Sequence, residues 1–323
     1  MTLQTQPQLI DLHPAPADMA RLVREGLNRR PRQLPAWLLY DSEGSRLFEA
    51  IGRQPEYSLT RVETALLEQR AGELAAALGP GVLVEFGAGN LRKVGPLLDA
   101  LRPAAYVPLD ISARHLQQSC AALQARHPQV PMLPICCDYS QLVALPAHPL
   151  LHGQRRHGFY PGSSIGNFSP PEARALLEQF ARLLGGGGRL LIGIDHPKPA
   201  DRLEAAYNDA AGVSAAFARN LLVRLNRDLD GDLDPTAFGY VARWEASHSR
   251  VAMALVSHCA QSVRVAGQHW LFAPGDELIT EYSLKYSTEA FLQLAQPTGW
   301  QLGQRWSDPD GELSLLLLER ADS

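Results

Sequence analysis

The sequence predicts an α/β fold: a mostly parallel sheet, closed by an antiparallel hairpin and interrupted late in the chain by an inserted α+β segment. Three observations predict it. From Val82 to Asp195, short apolar runs alternate with amphipathic stretches, the rhythm of βα units in a parallel sheet. One run, Val82-Leu83-Val84-Glu85-Phe86, turns through Gly87-Ala88-Gly89-Asn90 into a helical pattern. After His196 the rhythm changes to short alternating runs, then a helix and a hairpin, as an antiparallel insertion and a closing edge would read.

The elements follow in order. Residues 1–18 are rich in Pro and Gln and are expected to lie over the surface; residues 21–28 read as a short helix. The 30–35 stretch, with Pro31 and Pro35, breaks regular structure before an amphipathic piece at 46–51. A turn-like stretch at 55–63 leads into a helix over 61–78, stopped by Gly79-Pro80-Gly81. Strands are then expected at Val82–Phe86, 105–109 and 132–136, with helices at 91–101 and 113–125. A fourth strand begins at Gly158 and ends in the small and polar residues of 161–168. Ser169-Pro170-Pro171-Glu172 combines an N-cap, a first-turn proline and a glutamate three residues on, predicting a helix over Pro170–Leu184. The glycines of 185–188 end it, and Arg189–Asp195 is the fifth strand. Beyond lie a helix at 202–225, a break at 235–238 and strands at 241–245, 250–261, 262–266 and 271–272. A helix at 288–294 and a hairpin of 301–306 with 313–319, turning at Asp308-Pro309-Asp310-Gly311, complete the chain.

With 323 residues, 46% hydrophobic and 20% charged, the chain can bury a full core, and a formal net charge of -4 gives no basic excess for nucleic acid. The start lacks a charged n-region followed by an apolar core, and no run approaches the ~18 apolar residues of a membrane helix. The expectation is a cytoplasmic monomer with a small-molecule substrate and no nucleic-acid or membrane partner. Cys120, Cys136, Cys137 and Cys259 show no C-x-x-C spacing, so reduced thiols are expected, and the scattered histidines suggest no metal site.

Gly87 and Gly89 suit a backbone that turns tightly and approaches a ligand without a Cβ in the way. Asp110 follows the next strand, about twenty residues past the glycines, where an open α/β sheet presents a carboxylate to a ribose diol. A dinucleotide fingerprint would place a third glycine where Arg92 stands, followed here by Lys93, so a phosphate-free nucleotide fits better. S-adenosylmethionine (SAM) is such a ligand. Glu85, ahead of the first glycine, matches the acidic strand end of methyltransferases of this fold, and the closing antiparallel hairpin points the same way. Asp138 and Tyr139, after the third strand, could take an adenine, or Asp138 could be a helix N-cap. The glycine turn alone could also be an ordinary βα connection.

The inserted segment carries more. Asp195-His196-Pro197-Lys198, the run from Ala206-Tyr207-Asn208-Asp209 to Phe217, Asn220-Leu221-Leu222 and Gly275-Asp276-Glu277-Leu278-Ile279-Thr280-Glu281-Tyr282-Ser283-Leu284-Lys285-Tyr286 closely resemble the histidine-specific Nα-methyltransferases of ergothioneine biosynthesis. Pro55-Glu56-Tyr57 and Gly162-Ser163-Ser164-Ile165-Gly166-Asn167 extend the likeness from about residue 34 to the end. The resemblance implies a class I SAM-dependent methyltransferase domain over 61–196 and 287–323, and a substrate-binding domain over 19–60 and 197–286. It implies three methyl transfers to the α-amine of L-histidine, giving hercynine. Tyr40, Gly87, Lys93, Asp110, Asp138 and Tyr139 would hold SAM. Asn167 and Tyr207 would grip the substrate carboxylate, with Gly162 near the amine, and Tyr57, Met253, Glu281 and Ser283 would line the imidazole pocket. Tyr40, Asn167 and Tyr207 are the implied catalytic set, Tyr40 as a neighbour of the amine, with no base assigned. The sequence departs from the family at Ser58-Leu59, where Tyr-Pro is usual, and around Asn90-Leu91-Arg92.

Each of these residues also has a plainer interpretation. Met253 could be core, Tyr207-Asn208-Asp209 a solvated helix face, and Glu281 with Lys285 a surface pair of little weight. Two other functions compete: a methyltransferase of the same family acting on another amino acid or amine, and a non-catalytic nucleotide-binding protein. Retention of Glu281, Ser283 and Met253 argues against the first, and retention of Asn167 and Tyr207 against the second.

Overall fold

A computed structural model describes residues 7–12 and 16–320; the rest of the 1–18 segment lies outside the described residues. The chain divides into two compact units, one of residues 1–13, 59–197 and 285–323, the other of 14–58 and 198–284.

The first unit is built on an eight-stranded sheet in the order Ile10–Asp11, Ile135–Cys136, Ala105–Asp110, Val82–Phe86, Arg156–Tyr160, Arg189–Asp195, Leu313–Arg320, Trp300–Ser307. The first six strands run parallel, and the last two form the antiparallel closure. Every residue of Val82–Phe86 is buried, which is why this strand reads as an unbroken apolar run. The order reverses at it: its chain successor Ala105–Asp110 pairs on one side and Arg156–Tyr160 on the other. Ligands bind open α/β sheets at such a switch point, beyond the carboxyl ends of the strands. Helix Pro170–Leu184 opens with the expected capping box, Ser169 N donating to Glu172 Oε2 at 2.9 Å. It packs Phe180 on Phe86, ring centroids 3.9 Å apart, and its Leu177 carbonyl accepts from the buried Trp300 indole.

Several boundaries differ from expectation. The helix expected from residue 91 spans Gly95–Leu101, because Gly87, Gly89 and Leu91 all take positive φ and prolong the loop until Pro96 fixes a helical start. The third strand shrinks to Ile135–Cys136, with Met132 making only a bridge to Tyr106. Ile10–Asp11, within the stretch expected merely to cover the surface, pairs in parallel with Ile135–Cys136 as an edge strand. Leu59, at the departure from the family pattern, is the buried first residue of helix Leu59–Leu78.

The second unit holds a four-stranded sheet in the order Arg32–Gln33, Glu277–Leu284, Arg250–Ser257, Phe238–Glu245, and a two-stranded ribbon of Gln261–Val265 with Gln268–Phe272. Arg32–Gln33, inside the expected break, pairs with Leu278–Ile279. The strand expected over 250–261 stops at Ser257, whose hydroxyl donates to the Cys259 carbonyl as the chain turns. The single helix expected over 202–225 is two, Ala200–Tyr207 and Val213–Leu229. Gly212 is left-handed at the break, and Asp209 accepts from Val213 N and Ser214 N at 2.8 and 2.7 Å. Asp209 is thus a buried cap rather than part of a solvated face. Among the described residues no helix is long and apolar enough to cross a membrane.

Candidate active site

In the first unit, the residues singled out for a nucleotide gather at the carboxyl edge of the sheet. Asp110 ends its strand and ties two turns together: Oδ2 accepts from Gly89 N at 2.8 Å and Oδ1 from Ser112 N at 2.9 Å. Burial raises its pKa above the ordinary aspartate value, against the pull of those hydrogen bonds. A Cβ at Gly89 would meet nothing within 4 Å, whereas one at Gly87 would stand 3.4 Å from the Tyr139 ring. The Tyr139 hydroxyl lies 3.1 Å from that of Tyr160, and its ring packs edge-on against Phe86. Burial pushes the Tyr139 phenol well above its usual pKa. Asp138 is no helix cap: its Oδ1 accepts from Ser140 N and Oγ in a local turn.

Glu85 is buried, and desolvation pushes its carboxyl up to about 8 against a hydrogen bond from Tyr106 and the charge of Lys93. With a folded-state pKa above the unfolded one, its contribution to stability is full below the unfolded pKa and drains away as pH rises toward 8. Glu85→Gln should therefore gain in melting temperature relative to the parent as pH is raised from 5 to 9; a constant difference across that range would show that Glu85 is ionised throughout.

Lys93 and Gly162, assigned to different ligands by the sequence, meet at Glu63. The Lys93 ammonium lies 2.6 Å from Glu63 Oε2, and Gly162 N donates to both Glu63 oxygens at 2.7 and 2.9 Å. Glu63 is fully buried on helix Leu59–Leu78. Asn167 closes the 3-10 turn Ser164–Asn167, which follows a left-handed Ser163 whose hydroxyl accepts from Asp195 N. Lys285 pairs with Asp195 at 2.7 Å in the core of this unit, so it makes no surface pair with Glu281.

The second unit gathers the other set. Antiparallel register sets Glu281 opposite Met253 and Ser283 opposite Val251. Thr280 is an extra residue in this ladder: before it Ile279 faces Ala254, after it Glu281 faces Met253. A one-residue bulge reverses which face the following side chains take. It puts Glu281 and Ser283 on the face of Val251 and Met253, the apolar patch against which Tyr207, Tyr240 and Trp244 pack. The Tyr207 hydroxyl lies 2.8 Å from Ser283 Oγ, its ring meets Tyr57 edge-on at 5.7 Å, and its carbonyl accepts from Tyr240. Glu281 and Ser283 are both buried. Burial first, then the Glu281 charge, raises the Tyr240 pKa well above normal. Tyr40 follows the 3-10 turn Ala36–Leu39, with its ring edge-on to both Phe48 and Phe217 at 5.4 Å. Asp41 caps the next helix through Gly44 N and is held by Asn220 and Arg227.

The model of a family described as histidine-specific, SAM-dependent methyltransferases matches residues 19–320. The chain belongs to this family. A histidine N-alpha-methyltransferase of Mycolicibacterium smegmatis is 39% identical over 308 residues, covering 94% of this chain and 95% of that protein. One of Mycobacterium tuberculosis is 37% identical over 306 residues, covering 93% and 94%. Ergothioneine biosynthesis protein 1 of Neurospora crassa is 32% identical over 291 residues, 86% of this chain and 32% of that longer protein.

As a SAM-dependent methyltransferase, the chain has a nucleotide edge suited to its cofactor. The loop carries two positive-φ glycines, open space at Gly89, a carboxylate at the strand end and Arg92 in place of a third glycine. Two residues of the methyltransferase escaped the sequence. Tyr240 sits in a strand whose residues are nearly all half-buried, which blurs its alternation. Glu63 left a usable signal: it falls in helical register with Leu59, Leu66 and Leu67 on the buried face, where a charge has no place without a partner.

Proposed function

We propose that this methyltransferase converts L-histidine to hercynine by three successive methylations of the α-amine, the entry to ergothioneine biosynthesis. The carrying observation is the cluster of Tyr57, Ser283, Met253 and Glu281, all buried, with the half-buried Tyr207: a carboxylate and a hydroxyl on an otherwise apolar and aromatic face. An imidazole offers a ring nitrogen to each polar group and a flat edge to Met253. The family likeness assigns Asn167 and Tyr207 to the α-carboxylate and Gly162 to the amine. Anchoring the substrate by its two ends leaves the amine free to be methylated again without repositioning.

SAM supplies a methyl on a sulfonium, an in-line displacement whose acceleration comes chiefly from alignment. Gly87, Asp110, Asp138, Tyr139 and Lys93 would hold the donor, with Asp110 as acceptor for the ribose hydroxyls and Asp138 for the exocyclic amine of adenine. Tyr40, whose ring meets Phe48 and Phe217 edge-on, is assigned by the family likeness to the neighbourhood of the amine. The α-ammonium must lose its proton before each transfer, and no residue is assigned as the base.

Incubation with SAM and a panel of amino acids, with mass analysis of products, tests the proposal; trimethylated histidine is the expected product, and its absence beside another methylated amine would move the chain to a different substrate. Histamine and histidinamide, which lack the carboxylate, should be poor substrates. If histamine turns over as fast as histidine at low concentration, Asn167 and Tyr207 do not anchor a carboxylate.

A further inference from the structure

Glu63 joins two loops that flank the switch point of the sheet, the one after Val82–Phe86 through Lys93 and the one after Arg156–Tyr160 through Gly162. Its carboxylate has no exposed surface, a placement that costs free energy unless its lone pairs are met. Two donors meet them, the Lys93 ammonium at Oε2 and the Gly162 N–H shared between both oxygens, and the neighbouring strand makes room: a Cβ at Gly193 would stand 2.1 Å from Glu63 Oε1. Gly162 itself takes a positive φ of 79°, the left-handed conformation that presents its N–H to Glu63. An ammonium carries three donor hydrogens, and Glu63 takes one.

We propose that Glu63 is a positioning residue: it fixes the Lys93 ammonium so that its remaining hydrogens meet the carboxylate of the amino-acid tail of SAM. The inference rests on the assignment of Lys93 to the cofactor made above. That carboxylate is the only anionic group of SAM, and thus the natural mate of a cation at this edge. Held by Glu63, the long lysine side chain is ordered before the cofactor arrives, so less is lost on binding. Glu63→Gln keeps the shape but turns an amide NH2 toward a site that needs an acceptor for both Gly162 N and Lys93, so the ammonium loses its fixed place.

The test compares two ligands by calorimetry: S-adenosylhomocysteine, which has the tail, and 5′-methylthioadenosine, which has the same nucleoside and thioether without it. Glu63→Gln should weaken the first by about ten- to a hundredfold, the range of hydrogen bonds to charged groups, and the second by less than about twofold. Equal loss on both ligands would make Glu63 a merely structural residue and overturn the inference. Lys93→Met should show the same selectivity, and the double variant should bind S-adenosylhomocysteine no more weakly than Lys93→Met alone; additive losses would also overturn it. Should Glu63→Gln fail to fold, Glu63→Asp, one methylene too short to reach Lys93, serves in its place with the same expected selectivity. Asp110→Ala separates the two levels of the proposal. It should weaken both ligands alike, and if it and Lys93→Met leave both untouched, the cofactor site itself is misassigned.

Discussion

Replacing Glu281 by Ala should lower kcat/KM for histidine by about three powers of ten, while affinity for S-adenosylhomocysteine stays within about twofold of the parent. The magnitude follows from burial. A site that hydrogen-bonds a substrate nitrogen through a desolvated carboxylate discriminates by about 10⁴–10⁵, because the wrong ligand leaves the charge unpaired. Glu281 is buried, stands opposite Met253, and shares its face with Ser283, itself linked to Tyr207. Cofactor binding should be spared because Gly87, Lys93, Asp110, Asp138 and Tyr139 belong to the other unit. Removing the charge and shortening the wall together, in Glu281→Ala with Met253→Val, should relax the choice and admit some methylation of a larger, apolar-edged amino acid such as tryptophan. Competition assays with histidine and tryptophan, comparing kcat/KM in parent and double variant, measure this. If the double variant keeps the parent's full preference for histidine, the imidazole is read elsewhere, and Tyr57, edge-on to Tyr207, becomes the leading candidate.

What was legible in the sequence was whatever a local pattern controls. Val82–Phe86 and Arg189–Asp195 are found as expected because strands buried on both faces leave an unbroken apolar run. The capping box at Ser169 and Glu172 fixed one helix start from four residues. Longer-range causes were not legible. Regular alternation along Glu277–Leu284 would put Glu277, Ile279, Glu281 and Ser283 on one face; the extra residue Thr280, whose hydroxyl donates to the Met253 carbonyl at 3.2 Å, moves the last two to the other. Nothing in the strand's own composition announces that switch, since it depends on the partner strand. Leu91 at positive φ delayed a helix that helical periodicity started too early. Glu63 sits among the leucines on the buried face of its helix, but its role is set by partners 30 and 99 positions away, which no local pattern names. The family likeness supplied Lys93 and Gly162 as separate site residues; the carboxylate that joins them came only from the fold.

Asp110→Ala should weaken S-adenosylhomocysteine binding by about a hundredfold, and calorimetry should show Asp110→Asn falling in between. Two effects combine. The ribose hydroxyls lose a charged acceptor, worth ~1.5–3 kcal/mol. The glycine loop also loses its tether, since Gly89 N and Ser112 N both donate to this carboxylate, so the loop must be ordered at the cost of binding energy. Asparagine keeps one acceptor oxygen and can hold one of the two turns, whereas alanine holds neither. The same carboxylate gives the binding a pH signature. Burial raises the Asp110 pKa, so it takes up a proton at a less acidic pH than an ordinary aspartate, and a protonated carboxyl cannot accept from both turns and the ribose together. Affinity should therefore fall as pH is lowered, at a less acidic pH than an unperturbed aspartate would give, and the fall should vanish in Asp110→Asn, which has no proton to gain. A parent affinity that is flat with pH down to unfolding, together with an unchanged Kd in Asp110→Ala, would show that the nucleotide is held without this carboxylate.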